Sequence, residues 1–243
     1  MIDRYINNKI NAIWNDQNRF DTWKLIQEKY VETLEQLKIA EAGIAKKIRE
    51  AEVSKEEVYK QEEVTNHDLA SFVDILQKKV GEGSNWIHYG LTSSDIVDSA
   101  NSLLILQSIE IAQELILDLL KELKLKAIKN KDTKIIGRTH GVYAEETFLG
   151  NIFGNWYLEI KRSLDRVERA KVSIAYGKLS GPVGNHTVVT EEMEKITLEK
   201  LGLKPEIFAS QIVSRDRYAE VFTSLSILAS TYERISTNLR SYQ

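Results

Sequence analysis

Residues 95–129, DIVDSANSLLILQSIEIAQELILDLLKELKLKAIK, decide the fold class. No Gly or Pro interrupts them, so one continuous helix is predicted, about 50 Å long at 1.5 Å per residue. Its apolar residues are Ile96, Val97, Ala100, Leu103, Leu104, Ile109, Ala112, Leu115, Ile116, Leu119, Leu120 and Leu123, and they spread over more than one face. A helix apolar over so wide an arc needs other helices around it. The expectation is a bundle core, with partner chains covering part of the arc. Gln107, Ser108, Glu110, Gln113, Glu114 and Asp118 break up the most apolar stretch, which excludes a membrane span.

The helical pattern continues on both sides. Trp23, Ile26, Tyr30, Leu34 and Leu37 recur at three- and four-residue steps and predict an amphipathic helix over 21–48. Ser54 with Glu57 forms a capping box that starts a short helix. After a break at 65–68, another helix covers 69–80, closed by Gly81 and Gly83. Thr92, Ser93 and Ser94 are the natural N-caps for the long helix. Beyond it, 130–143 is a break with extended character at Lys134, Ile135 and Ile136. A second long helix is expected over 145–176, a Gly- and Pro-containing loop over 177–185 and a short helix over 191–201. A third long helix starts near Asp216 and reaches Gln243 with no Gly, Asn or Pro to end it. The expected fold is all-α: an N-terminal helical domain over 1–92, then a long-helix bundle domain over 93–243 that is incomplete at its C-terminus.

Only 2 Pro and 12 Gly among 243 residues agree with long helices, and the absence of Cys excludes disulfides and thiolate metal sites. A net charge of -3 provides no basic field for nucleic acid. The first residues lack the apolar core of a signal peptide. These features predict a soluble, cytoplasmic protein.

The four histidines, His67, His88, His140 and His186, all fall in predicted breaks beside Asp, Gly or Asn. Taken singly, each reads as a surface histidine in a loop. Together they suggest acid–base chemistry, since loops on a rigid scaffold carry catalytic groups. Their spacings do not match a zinc site, so no metal is expected. Arg4, Tyr5, Thr92, Ser93, Arg138, Thr139, Ser180, Gln211, Arg215 and Arg217 lie at or near predicted helix ends, where Ser, Thr and Arg suit anions. Each alone could be a cap or a surface ion pair. The composite suits proton abstraction from an anionic substrate. No phosphate-binding Gly-rich loop or nucleophile elbow is present.

Five motifs occur in order: Thr-Asn-His-Asp at 65–68, Trp-Ile-His-Tyr-Gly-Leu-Thr-Ser-Ser-Asp at 86–95, Gly-Arg-Thr-His-Gly at 137–141, Gly-Lys-Leu-Ser-Gly-Pro-Val-Gly at 177–184 and Gln-Ile-Val-Ser-Arg-Asp-Arg at 211–217. With them the whole chain resembles the N-terminal portion of the adenylosuccinate lyase family, of the fumarase/aspartase superfamily. The resemblance implies elimination of fumarate from adenylosuccinate and from the succinyl-carboxamide ribotide of purine biosynthesis. It implies His140 as general acid and His67 as a second catalytic-site histidine that aids binding or orientation. Arg4 and Tyr5 would bind the nucleotide end, and Thr92 and Ser93 the succinyl carboxylate or nearby groups. Asn66, Asp68, His88, Arg138, Thr139, Gln211 and Arg215 complete the expected substrate site. It implies no cofactor, a small-molecule nucleotide substrate, and a homotetramer with shared active sites.

The chain departs from the family pattern in three places. Asn66 stands where many members have Arg. Tyr143 and Glu146 stand where many have His and Pro. The family's Gly-rich loop with its general-base serine is missing, the only prolines being Pro182 and Pro205. The alternatives are another fumarate-releasing lyase of the superfamily and a non-catalytic helical assembly module.

Overall fold

The computed structural model describes residues 3–242. After a single 3-10 turn at Asp3–Tyr5, the helices run in chain order as α1 (Asn8–Ile13), α2 (Asp16–Gln36), α3 (Ile44–Glu50), α4 (Lys55–Thr65), α5 (Asp68–Val80) and α6 (Ser93–Lys129). A hairpin of β1 (Lys134–Thr139) and β2 (Val142–Phe148) follows, then α7 (Leu149–Ile174). Next come the two-residue strand β3 (Tyr176–Gly177), α8 (Glu191–Lys200), β4 (Lys204–Pro205) and α9 (Asp216–Ser241). The fold is all-α, and α6 matches the long helix read from the sequence. Among the described residues no helix is long and apolar enough to cross a membrane.

Two compact units emerge: 3–108 with Ile174–Arg215, and Ile109–Ser173 with 216–242. In the first, Phe20, Trp23, Ile26, Tyr30 and Leu34 form one buried stripe of α2. Trp23 meets Phe72 of α5 edge-on at 5.6 Å between ring centroids. Burying such a ring stabilises the unit by about 1.5–3 kcal/mol. Leu198 and Leu203 complete this core, and a parallel bridge pairs Tyr176 with Lys204 and Gly177 with Pro205.

In the second unit, α7 buries Trp156, Ile160, Leu164, Val167 and Ala170, and α9 buries Val221, Leu228 and Ile235. The α7 set follows three- and four-residue steps, and the α9 set does so once buried Ser224 and Thr231 are counted between its apolar residues. Polar ties join them: Thr231 Oγ1 donates to Glu159 Oε1 at 3.0 Å, and Arg217 donates to the Ser173 carbonyl at 2.7 Å. Leu115, Leu117, Leu125 and Ile128 of α6 remain exposed.

Two expectations are corrected. The single helix over 21–48 is two helices, because Lys38 (φ 60°) and Gly43 (φ 98°) take left-handed backbone between Gln36 and Ile44. Ile44 and Ile48 continue the apolar spacing in a separate helix, which hid the break. The helix expected from 145 begins only at Leu149, because Glu145 belongs to β2 and Glu146, Thr147 and Phe148 pair with β1.

Candidate active site

In the first unit the site is built where helices begin. His67 is the N-cap of α5, its Nδ1 accepting the Ala70 N–H at 3.4 Å. Its Nε2 lies 3.3 Å from Ser93 Oγ, at the first residue of α6. Asp68 Oδ1 sits 3.4 Å from His67 Nδ1. Two helix N-termini, with their positive dipole ends and free N–H groups, therefore meet at one imidazole. Asn66 caps α4 with left-handed backbone (φ 52°), and His67 itself is about half exposed, with 49% of its side chain accessible.

Behind Ser93 lies a fully buried ion pair. Lys178 Nζ donates to Asp95 Oδ1 and, at 2.7 Å, to the Gly181 carbonyl. Asp95 Oδ2 accepts the N–H of Thr92 at 2.8 Å and of Gly181 at 3.2 Å. One carboxylate thus fixes both the start of α6 and the loop after β3. Burial pushes the Asp95 carboxyl above its ordinary value, against the pull of Lys178. In the same loop His186 Nε2 is 3.7 Å from the buried Glu194, which accepts the Leu179 N–H at 2.7 Å.

His88 stands before α6 with left-handed backbone (φ 62°). The buried Gln27 accepts its backbone N–H at 2.9 Å and lies 3.0 Å from its Nδ1. Burial, and secondarily the nearby His67, hold His88 down to about pKa 4. Asp98 is buried and accepts from the Val213 N–H at 2.9 Å and from Arg215 at 3.0 Å, so Arg215 fastens its own segment to α6. Gln211 is exposed in that segment. Arg4 and Tyr5 are also exposed, the guanidinium lying 5.0 Å from the Tyr5 ring centroid.

The second unit carries the remaining site candidates on a hairpin. Thr139 pairs with Val142, which leaves His140 and Gly141 as a two-residue turn. Both have positive φ, 56° and 77°, the pattern of a type I′ turn that matches strand twist. His140 is thereby displayed at the exposed tip. Arg138 lies behind it, its NH1 donating to the Ser241 carbonyl at 3.3 Å and its guanidinium 5.6 Å from the Tyr143 ring centroid. An open groove of about 640 Å³ is lined by Arg138, Gly141, Val142, Tyr143 and Ser241.

The structure thus brings together His67, Asp68 and Ser93 directly, and Thr92 through Asp95. It puts Arg138, Thr139 and His140 on one hairpin. Sequence reasoning missed Gln27, Asp95 and Lys178 as site-shaping residues. Gln27 did leave a signal: it falls on the buried stripe of α2, where an apolar residue is the rule.

The long-helix scaffold presents its histidines and anion donors at helix starts and turns, and the chain belongs to the Lyase family, whose model matches residues 7–243. Within that family it is similar to adenylosuccinate lyases. It is 39% identical to that of Thermotoga maritima over all of this chain and 57% of that protein. To that of Bacillus subtilis it is 36% identical, over all of this chain and 57% of that protein. The chain therefore spans little more than half the length of the curated relatives it matches. Its fold is shared with a fumarate lyase from Mesorhizobium sp. BNC1 (TM-score 0.88, 20% identity, 96% of this chain and 57% of that one). It is shared as well with a 3-carboxy-cis,cis-muconate lactonizing enzyme from Pseudomonas putida (TM-score 0.90, 17% identity, 96% and 56%).

Proposed function

We propose that this chain supplies part of the active site of an adenylosuccinate lyase, which eliminates fumarate from adenylosuccinate and from the succinyl-carboxamide ribotide of purine biosynthesis. The observation that carries this reading is the contact of His67 at the start of α5 with Ser93 at the start of α6, within motifs at 65–68 and 86–95 of the adenylosuccinate lyase type. β-Elimination needs a base that takes the proton next to a carboxylate, and donors that hold the charge then delocalised onto that carboxylate. It also needs an acid for the leaving nitrogen. Thr92 and Ser93 at the α6 N-terminus are the carboxylate donors, and His67 orients the substrate beside them. Asn66, Asp68 and His88 line the same site. Arg4 and Tyr5 take the nucleotide end, with Gln211 and Arg215 as further contacts.

His140, exposed and supported by Arg138 and Thr139, is the general acid. The general base is the serine of the family's Gly-rich loop, which is not among these 243 residues. The exposed Leu115, Leu125, Leu158 and Phe222 support a homotetramer in which other chains cover the long helices. The absence of Cys and the proposed purine substrates support a cytoplasmic location.

Fumarate release from adenylosuccinate by the gene's full product tests the reading, and no release at any concentration overturns it. His140→Gln in that product lowers kcat by about 10²–10⁴-fold. Full activity in this variant removes His140 as the acid.

A further inference from the structure

Gln27 is wholly buried on α2, where a carboxamide is unfavourable unless both of its ends are paired. Both ends meet the same residue. Oε1 lies 2.9 Å from the His88 backbone nitrogen, and Nε2 lies 3.0 Å from the His88 ring Nδ1. The backbone N–H can only donate, so the atom facing it must be the carboxamide oxygen. That settles the orientation of the amide, which its shape alone leaves open. The NH₂ group therefore faces Nδ1, and since it too can only donate, Nδ1 must offer a bare lone pair. A neutral imidazole with bare Nδ1 carries its proton on Nε2.

The backbone is clamped as well. Tyr30, three residues further along α2 and fully buried, donates its hydroxyl to the Tyr89 carbonyl at 2.8 Å. Gln27 and Tyr30 thus hold the chain on either side of the left-handed kink at His88. The ring has one polar atom left. Among the described residues Nε2 has no hydrogen-bond partner, so its N–H is available to a ligand.

We propose that Gln27 is a positioning residue that locks His88 as the neutral Nε2–H tautomer, making it a fixed hydrogen-bond donor to an anionic oxygen of the substrate. The donor role rests on the lyase reading above, whereas the lock does not. The choice of Gln is what sets the direction. A Glu at 27 would accept from the backbone N–H and equally from a protonated Nδ1. The proton would move to Nδ1, and Nε2 would turn a lone pair toward the substrate oxygen and repel it. A Met would fill the space and leave the ring free to exchange tautomers.

Two-bond ¹H–¹⁵N correlation spectra of the ¹⁵N-histidine-labelled 243-residue chain test the lock, with His88 identified by its loss in His88→Asn. The expected pattern for His88 is bare Nδ1 and protonated Nε2. In Gln27→Glu the pattern switches to protonated Nδ1. A protonated or averaged Nδ1 in the native chain overturns the lock, as does an unchanged pattern in Gln27→Glu. If buried Glu prevents folding, Gln27→Met decides: an averaged ring supports the lock, and a retained pure Nε2–H form overturns it. In the gene's full product, Gln27→Glu raises KM for adenylosuccinate by about 10- to 100-fold, with a smaller change in kcat. An unchanged KM overturns the donor role and leaves the lock standing. An inactive native enzyme overturns the lyase reading and the donor role with it, again without touching the spectroscopic result.

Discussion

His88, His140 and His186 hold φ at 62°, 56° and 54°, and Asn66, just before His67, holds 52°. Every histidine of the chain therefore sits in or beside a left-handed kink. Short polar residues and His reach this region more readily than most, yet each kink costs about 1–3 kcal/mol and persists only where its surroundings impose it. At His88 those surroundings are Gln27 and Tyr30, and burial there has a pH signature. Burial, and secondarily the nearby His67, hold His88 in the folded state from its ordinary 6.5 down to about 4. Between those values the unfolded chain binds the proton and the folded chain does not. Stability is fully present above 6.5 and is lost as pH falls toward 4. Urea midpoints followed from pH about 7 to about 5 are expected to fall more for the native chain than for His88→Asn. Parallel curves would contradict a neutral, buried His88. The breaks that hold these histidines were legible, because Asn, Asp and Gly flank them. The sign of φ was not, because Gln27 and His88 are 61 residues apart and no local pattern joins them.

The start of α4 was fully legible. Ser54 Oγ accepts the Glu57 N–H at 3.3 Å, and Glu57 Oε2 accepts the Ser54 N–H at 3.1 Å. Ser54→Ala is expected to cost about 1 kcal/mol in urea unfolding. Lys79, 2.6 Å from Glu57 Oε1, and the Ser54 N–H lower the Glu57 carboxyl to about 2. Its contribution is therefore present above the ordinary 4.5 and is lost as pH falls toward 2. The hairpin was only half legible. Lys134, Ile135 and Ile136 read as extended, but seven-residue β2 buries almost nothing on either face, and Glu145 and Glu146 are good helix formers. A strand with no buried face leaves no two-residue alternation to detect. The turn was hidden for a related reason: it uses His140-Gly141 where Asn-Gly is the usual signal.

At the scale of the whole molecule, the three long helices α6, α7 and α9 were legible because their apolar residues repeat the three- and four-residue step, whereas α1 and the break between α2 and α3 were not. Which segments share a core was not, because the partnership of α2 with α8 depends on chain return. Thr33 and Thr197, both buried, share a hydrogen bond of 3.0 Å across that return. The Asp95–Lys178 pair is a second such tie. Lys178→Met leaves a buried carboxylate without its cation and is expected to cost about 3–5 kcal/mol in urea unfolding. Asp95→Asn with Lys178→Met is expected to recover most of it, and a double variant no better than the single would show that the charge pair is not the cause. The return also sets a schedule for the ribosome. The first unit leaves off at Ser108 and resumes only at Ile174. Its core lacks Leu198 and Leu203 until they are made. At 5–20 residues per second this is a wait of about 5–20 s. Through that interval the nascent α2 has a finished helix and an unfinished neighbour, so the apolar side that later receives α8 is what a chaperone would meet first.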